Sequence, residues 1–182
     1  MDSKLQIISG RFRGRKLRMP ASARPTQNRA RIALFNMLAS LGVAPKNVWD
    51  AFAGSGAFGL EILSRYPAAN VVFTDTDADA IKIIRGNLAD LNIGTRAVAV
   101  QADAVAALNK YGASADLIFL DPPYADAAAG RKIAEQLAHT VPRGAILIWE
   151  QDAVDAIDAP AGWGVLRDKK YGRARFLVLQ AE

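Results

Sequence analysis

The chain is organised around residues 48–60, which read Val-Trp-Asp-Ala-Phe-Ala-Gly-Ser-Gly-Ala-Phe-Gly-Leu. This pattern predicts a short buried strand, a glycine turn and the first turn of a helix. The glycines allow a tight turn with positive φ and leave no Cβ between the main chain and a ligand. The helix that begins near Ala57 turns its free N–H groups toward that space, which is a natural seat for an anionic group.

Asp50 changes the interpretation of this turn. By spacing alone, Gly54, Gly56 and Gly59 fit the dinucleotide fingerprint, which is a weak signal by itself. A carboxylate four residues before the first glycine would repel a pyrophosphate, but it suits a ligand with positive charge, such as the ammonium and sulfonium groups of S-adenosylmethionine. We therefore expect a nucleotide-type cofactor, with an ordinary strand–turn–helix as the alternative.

Composition limits the possible functions. The 182 residues are 51% hydrophobic and contain no repeat, as expected of a globular chain with one main domain. The absence of cysteine excludes disulfides, thiol nucleophiles and Cys-based metal sites, and the single histidine, His139, excludes a His-cluster metal site. We expect no metal. No signal-peptide core or membrane-length apolar run occurs, so we also expect a cytoplasmic protein without membrane contact.

Positive charge is concentrated at the beginning of the chain. Residues 1–31 contain nine Lys/Arg and one acid, a net charge of +8, while the whole chain has a net charge of +5. Residues 5–8 and 16–19 are short strand candidates around a loop with a glycine at each end, which predicts a basic β-hairpin with Phe12 near its tip. Such a segment is typical of a phosphate-binding arm whose aromatic ring stacks on a base, and a merely solvated charge run is the alternative.

Strand and helix patterns alternate in the remaining chain. After a first helix that ends at Gly42, the predicted strands are 47–52, 70–75, 97–101, 116–121 and 145–150, and the predicted helices lie between them. A closing hairpin follows, with strands 164–171 and 174–180 joined at Gly172 and Arg173. This order predicts an α/β fold with a seven-stranded, mostly parallel sheet, an antiparallel last strand and helices on both faces. We expect residues 26–182 to form this domain and residues 1–25 to form the basic arm.

Four aspartates stand at the carboxyl ends of four consecutive predicted strands, where ligands bind in such sheets. Asp75 is spaced to accept hydrogen bonds from ribose hydroxyls, and Asp103 with the Ala104 backbone is a candidate for the adenine amino group. A strand terminator or helix cap is the alternative for each. The predicted cofactor-binding residues are Asp50, Phe52, Ala53, Gly54, Ser55, Gly56, Asp75, Asp103 and Ala104.

The fourth aspartate begins the sequence Asp121-Pro122-Pro123-Tyr124. Neither proline has an N–H, and the residue before each is held extended, so the backbone presents fixed carbonyls. The Asp121 carboxylate and the Pro122 carbonyl can then accept both hydrogens of a planar –NH2 group, while Tyr124 stacks on its ring. All four residues are predicted to form the catalytic site. The alternative is a strand that simply ends in prolines.

Two motifs together resemble a known group of enzymes. Asp50, Phe52, Gly54 and Gly56, followed by the Asp-Pro-Pro-Tyr sequence, look like the amino-group methyltransferases that use S-adenosylmethionine. More narrowly, residues 7–17, 24–31 and 34–38 resemble the bacterial RsmD-type family, which methylates N2 of a guanine in 16S ribosomal RNA. One departure is visible, because Ile32 stands where the family usually has an acid.

The resemblance implies a Rossmann-like class I methyltransferase fold, S-adenosylmethionine as the cofactor, and ribosomal RNA or a small-subunit assembly particle as the partner. We expect a monomer, although the sequence leaves the oligomeric state open. The hypothesis is in-line methyl transfer to guanine N2 held by Asp121 and Pro122. The alternatives are a DNA or RNA adenine-N6 or cytosine-N4 methyltransferase, an NAD(P)-dependent oxidoreductase and a non-catalytic RNA-binding protein. The candidate RNA-binding residues are Arg11, Phe12, Arg13, Arg15, Lys16, Arg24, Arg29, Arg31 and Arg173. Glu150 is expected only to pack.

Overall fold

The computed structural model describes residues 5–20, 28–123, 127–154 and 157–182. The helices are α1 (Asn28–Ser40), α2 (Ala57–Arg65), α3 (Ala78–Asp90), α4 (Ala104–Ala107) and α5 (Ala127–Leu137). The strands are β1 (Asn47–Asp50), β2 (Asn70–Asp75), β3 (Ala97–Gln101), β4 (Leu117–Leu120), β5 (Ile146–Asp152), β6 (Trp163–Tyr171) and β7 (Ala174–Ala181). A 3-10 turn precedes β3 at Gly94–Arg96, and a π-helical turn continues α4 at Leu108–Gly112.

The seven strands form one sheet in the order β3-β2-β1-β4-β5-β7-β6. β1 to β5 pair in parallel, and β7 is antiparallel to both of its neighbours, β5 and β6. The prediction of a mostly parallel sheet with an antiparallel last strand is confirmed. Because β1 lies between β2 and β4, the strand order reverses at β1, which is where a ligand crevice is expected in such a sheet.

Apolar side chains cover both faces of the sheet. One core cluster joins Phe35 of α1, Phe58 of α2 and Ile84 of α3 to the sheet. The other joins Ile133 of α5 to Trp49 of β1 and to residues of the α4 segment. All four residues of β4 are buried, because this central strand is covered on both sides. The prediction of helices on both faces is therefore confirmed.

Several element boundaries differ from those predicted. β1 ends at Asp50 and β4 ends at Leu120, so both strands are shorter than their apolar runs suggested. β4 stops there because the residues after Asp121 are prolines, which cannot donate to a strand ladder. Ile32 of α1 is also 40% exposed, although its spacing from Phe35 and Leu38 is typical of one apolar helix face.

The N-terminal basic segment is a hairpin that packs against the main domain. Gln6 and Lys16 form an antiparallel bridge, and Leu17 N–H donates to the Leu5 carbonyl at 3.0 Å. Apolar side chains of this hairpin belong to the same core cluster as α1, α2 and the sheet. The interpretation of Phe12 as an accessible stacking ring was wrong, because Phe12 is only 8% exposed and lies in that cluster.

Two side chains of α2 attach the hairpin to the domain. The buried Glu61 carboxylate accepts hydrogen bonds from Ile8 N–H at 2.7 Å and Ser9 N–H at 2.9 Å. Ser64 Oγ accepts from Phe12 N–H at 3.0 Å and donates to the Ser9 carbonyl at 2.6 Å. The same helix begins at the glycine turn, so the hairpin and that turn are joined through one rigid element. Within the described ranges, no helix is both long enough and apolar enough to cross a membrane.

Candidate active site

Asp50 is a buried carboxylate at the carboxyl end of β1, with 1% of its surface exposed. Its Oδ2 accepts a hydrogen bond from Gly59 N–H at 3.1 Å, whereas its Oδ1 has no partner in the part of the chain that the structure describes. The pKa of Asp50 is raised to about 8, mainly by burial. The hydrogen bond from Gly59 lowers the pKa, whereas the nearby charges of Asp121 and Asp75 contribute to the rise. A cation beside Oδ1 would relieve this burial of negative charge.

The glycine turn lies next to Asp50. Gly54 and Gly56 have φ of 51° and 73°, and Gly56 N–H closes the turn on the Ala53 carbonyl at 2.6 Å. A Cβ on Gly54 would meet nothing within 4 Å, so the main chain there borders open space. A Cβ on Gly59 would lie 2.3 Å from the Phe73 ring, so this third glycine is required by helix–sheet packing instead.

Asp75 connects the end of β2 to the turn. Its Oδ2 accepts from Gly54 N–H at 2.7 Å, and its Oδ1 accepts from Asp77 N–H at 2.9 Å. Each carboxylate oxygen has two acceptor sites, so both retain capacity for a further donor such as a ribose hydroxyl. Phe52 and Ser55 are half-buried beside this turn.

Asp103 caps a helix, which is the alternative role that its sequence position allowed. Its Oδ1 accepts from Ala106 N–H at 3.0 Å, and the residue is the N-cap of α4. Its side chain is exposed at the carboxyl end of β3, while Ala104 is buried behind it. The structure therefore brings Asp103 to the same edge of the sheet as Asp50 and Asp75.

Asp121 follows β4 directly, two residues beyond Phe119, which pairs with Asp50 on the neighbouring parallel strand. It is half-buried, and burial raises its pKa above the ordinary range for an aspartate. Pro122 is buried and Pro123 is exposed. Tyr124 lies outside the described residues, so the structure leaves its predicted stacking role as a prediction.

Sequence reasoning missed Glu150 of β5. The residue is 5% exposed, and the charge of Asp121 acts on its carboxyl group. The signal was weak, because only the sheet order shows that β5 lies beside β4 and that Glu150 stands next to Asp121. The four carboxyls of Asp75, Asp50, Asp121 and Glu150 thus belong to four adjacent strands.

Most of the predicted RNA-binding residues that the structure describes are exposed, but Arg31 is buried. Arg11, Arg13, Arg15, Lys16 and Arg29 are exposed, four of them on the hairpin. Arg31 is buried, with 4% of its surface exposed, and its Nη2 donates to the Gln6 carbonyl at 2.6 Å, so its assignment to the RNA surface was wrong. It instead attaches α1 to the hairpin.

Two further candidates stand apart. Arg24 lies outside the described residues. Arg173 forms an ion pair with Asp152 at 2.7 Å, although 69% of its side chain remains exposed.

Comparison with known proteins places this arrangement in a family. Residues 5–180 match the family described as conserved hypothetical protein 95. The Ribosomal RNA small subunit methyltransferase D of Escherichia coli K12 is 34% identical, over all of this chain and 92% of that protein. The protein of the same name from Haemophilus influenzae is 30% identical, over 97% of this chain and 94% of its own length.

A solved structure agrees with the sequence comparison. The Escherichia coli protein yhhF superposes with a TM-score of 0.83 at 33% identity, covering 97% of each chain. By sequence and by fold, the chain belongs to the conserved hypothetical protein 95 family, the family of the RsmD-type methyltransferases.

Proposed function

We propose that the chain transfers a methyl group from S-adenosylmethionine to the exocyclic N2 amino group of a guanine in small-subunit (16S) ribosomal RNA. One observation carries this proposal. The buried carboxylate of Asp50, which has one unpartnered oxygen among the described residues, and the Asp121–Pro122 pair lie at the carboxyl ends of adjacent parallel strands, close enough for the charge of Asp121 to raise the pKa of Asp50. In this proposal, a position that binds a cation therefore lies near a position that accepts amino hydrogens.

The residues around Asp50 fit the proposed cofactor. The unpartnered Oδ1 suits a positively charged group, and the open side of Gly54 leaves room for a ligand against the main chain. Asp75 has acceptor capacity for ribose hydroxyls. When bound, S-adenosylmethionine supplies an electrophilic methyl group. Asp50, Gly54 and Asp75 would hold and orient it.

The acceptor pair performs the remaining chemistry. The Asp121 carboxylate and the Pro122 carbonyl accept the two amino hydrogens and so aim the nitrogen lone pair at the methyl group. The nitrogen would become positive as it gains the methyl group, and the Asp121 carboxylate would stabilise that charge and then take the proton. Positioning and electrostatics supply the acceleration, without a separate strong base.

The exposed cations of the hairpin supply the RNA contacts in this proposal. A guanine must leave its stack to reach the acceptor pair, so a single-stranded or loop region is the expected substrate. Arg11 and Arg13 are exposed on a segment that Glu61 and Ser64 hold in place. They would bind the phosphates on either side of the target nucleotide.

Radiolabelled S-adenosylmethionine tests the whole proposal. The protein is incubated with naked 16S RNA, small-subunit particles and duplex DNA, and the labelled nucleosides are then separated. We expect label in N2-methylguanosine from RNA or particles and none in DNA. Label in N6-methyladenosine or N4-methylcytidine would favour the other amino-methyltransferases, and binding of RNA without any labelled nucleoside would favour a non-catalytic RNA-binding protein.

Gly130 of α5 is expected to be necessary for the position of the acceptor pair. A Cβ at this residue would lie 2.9 Å from Pro122 Cγ and 2.9 Å from Trp149 Nε1, which is closer than real Cβ contacts. Gly130→Ala should therefore displace Pro122 and lower kcat by about tenfold or more, since small misplacements at a reacting centre are costly. The measurement is kcat at saturating cofactor and RNA.

Gly86→Ala is the matched control for Gly130→Ala. Gly86 also lies inside a helix, α3, but its Cβ would approach only the guanidinium end of Arg18, at 3.1 Å. Both substitutions gain about 1 kcal/mol in helix propensity, so only the contact with Pro122 and Trp149 distinguishes them. Equal kcat values for the two variants would show that Gly130 does not support the acceptor pair.

Gly10→Ala is expected to weaken RNA binding, although it removes no charge. A Cβ at Gly10 would lie 2.1 Å from the Ser64 carbonyl oxygen and so would push the hairpin off α2. With the cations no longer held, the affinity for RNA should fall about tenfold, and its dependence on salt should become flatter as phosphate contacts are lost. Fluorescence anisotropy with labelled RNA between about 50 and 200 mM salt measures both quantities.

Gly14→Ala controls for backbone strain. Gly10 and Gly14 have the same φ of 81°, but a Cβ at Gly14 would meet nothing within 4 Å. Both alanines carry the strain of a left-handed residue, roughly 1–2 kcal/mol, and only Gly10→Ala collides with α2. If the two variants bind RNA equally, the position of the hairpin on α2 is irrelevant to RNA binding.

A further inference from the structure

Glu150 is a buried carboxyl group for which the proposed reaction has so far given no role. It lies in β5, whose seven residues are all buried, and 5% of its own surface is exposed. Its Oε2 accepts no hydrogen bond within the described part of the chain. The next two residues of the strand do have side-chain partners. Gln151 is hydrogen-bonded to Ile157 and Arg175, and Asp152 is paired with Arg173.

The sheet register places Glu150 beside Asp121. Leu120 of β4 pairs with Trp149 of β5, and each is followed directly by one of the two acids. Residues at matching positions of parallel strands point to the same face, so the two carboxyls project together. On the other side of Glu150, β7 contributes the apolar Phe176 at the paired position.

Among the described residues, the charged groups beside this pair at the carboxyl edge of the sheet are acidic. Beyond Asp121, which follows β4, come Asp50 on β1 and Asp75 on β2, and the charges of Asp121 and Asp75 both raise the pKa of Asp50. Burial, and then the charge of Asp121, raise the pKa of Glu150, and burial raises that of Asp121. Two neighbouring carboxyls in such surroundings lose their protons in two separate steps.

A carboxyl group in this position is unfavourable for folding alone. Burying an unpartnered carboxylate costs free energy, and an apolar side chain of similar volume would stabilise the strand better. Buried carboxyl pairs are instead a device for holding a proton at neutral pH. The position of the unpartnered oxygen next to a proposed catalytic acid therefore indicates a role in the reaction.

We propose that Glu150 is a positioning residue of the transfer site. Its carboxyl group pairs with that of Asp121, and the two share a single proton. Loss of this proton sets the pH above which Asp121 accepts amino hydrogens. This inference rests on the proposed methyl transfer. The negative charge of Glu150 makes Asp121 a stronger base for the proton that leaves the methylated nitrogen. That proton is then shared by the two carboxyls before it passes to solvent.

Glu150→Gln tests this pairing, because it removes the charge and keeps the shape. In the wild-type protein without cofactor, carbon-13 NMR of the side-chain carboxyls should show Asp121 titrating above the ordinary range. In Glu150→Gln, its titration should move down by about one pH unit. In the pH profile of kcat, the acid limb should move to lower pH by a similar amount. The plateau value of kcat at high pH should fall several-fold, because Asp121 becomes a weaker base.

Two further variants make the result specific. Glu150→Leu also removes the charge and should move the Asp121 titration in the same direction, which covers the case in which the glutamine variant folds poorly. Glu135→Gln makes the same chemical change at an exposed residue of α5 paired with Arg131, and it should move neither the titration nor the acid limb.

The outcomes separate the two proposals. An unchanged Asp121 titration in both Glu150 variants overturns the pairing, even if methyl transfer is intact. A higher KM for RNA with an unmoved acid limb also overturns it, because Glu150 would then contact the substrate itself. If the Asp121 titration shifts in the Glu150 variants but the wild-type protein methylates no RNA, the carboxyl pair is supported and the proposed function is wrong.

Discussion

Replacing Asp121 by asparagine is expected to lower the rate of methyl transfer by about 10³-fold, the scale of losing one preorganised electrostatic group. The amide is nearly the same shape, but it has no charge to stabilise the developing cation on the nitrogen and cannot take its proton. Affinity for S-adenosylmethionine should not fall. Loss of the Asp121 charge instead eases the ionisation of Asp50, whose pKa that charge raises.

Single-turnover rates and calorimetric titration with the cofactor measure these two effects separately. Asp116→Asn is a suitable control, because Asp116 precedes the same strand at its opposite end and its carboxylate accepts from Lys46 and Asn47 N–H groups. That variant should keep its rate. A rate near the wild-type value in Asp121→Asn would remove Asp121 from the mechanism.

Asp50→Asn is expected to have opposite effects on cofactor affinity and on stability. Removing one partner of a desolvated charge pair costs about 2–5 kcal/mol, so the Kd for S-adenosylmethionine should rise at least about thirtyfold. Without cofactor, the same substitution removes a carboxylate that is 1% exposed and has an unpartnered oxygen among the described residues, so the variant should be at least as stable as the wild type.

The pH dependence has a definite sign. Burial raises the pKa of Asp50 from 3.8 to about 8, so between these pH values the folded protein holds a proton that the unfolded chain has lost. The contribution of Asp50 to stability is therefore fully present below about pH 4 and is lost as the pH rises toward about 8. A cationic cofactor binds to the ionised form of Asp50, so its affinity should increase as the pH rises over the same range. Cofactor binding near neutral pH should therefore release a proton from Asp50.

Thermal unfolding with and without cofactor, at a series of pH values, measures all of these quantities. The fall in Tm of the cofactor-free protein from about pH 4 to about pH 8 should be smaller in Asp50→Asn than in the wild type. The rise in Tm on adding cofactor should be nearly absent in the variant. If Asp50→Asn binds the cofactor as tightly as the wild type, Asp50 is a structural residue only.

Much of the fold could be predicted because its signals are local. Each strand of the parallel part is a short apolar run, and each is followed by a glycine, a proline or an acid within a few residues. The position of Asp50 and Asp121 at one edge followed from parallel strand direction alone. The two prolines after Asp121 also fixed the end of β4, although the strand proved one residue shorter at each end than its sequence indicated.

The errors concern residues whose environment depends on distant parts of the chain. Phe12 and Arg31 lie in basic sequence that is typical of an exposed surface, and nothing adjacent to them indicates burial. Phe12 is held against α2 by Ser64, which is 52 residues away, and Arg31 is bound to the carbonyl of Gln6, which is 25 residues away on the hairpin. Glu150 was missed for the same reason, since its neighbour Asp121 is identified only by the pairing of β4 with β5.

The attachment of the hairpin to α2 also has a consequence for biosynthesis. Residues 5–17 are translated before their hydrogen-bond acceptors, because Glu61 and Ser64 follow Ile8, Ser9 and Phe12 by more than fifty residues. During that interval the emerging segment carries its arginines on an unanchored chain close to the RNA of the translating particle. The cationic surface acquires its final shape only when the helix that starts at the glycine turn has formed, so the hairpin and the glycine turn reach their final structures together.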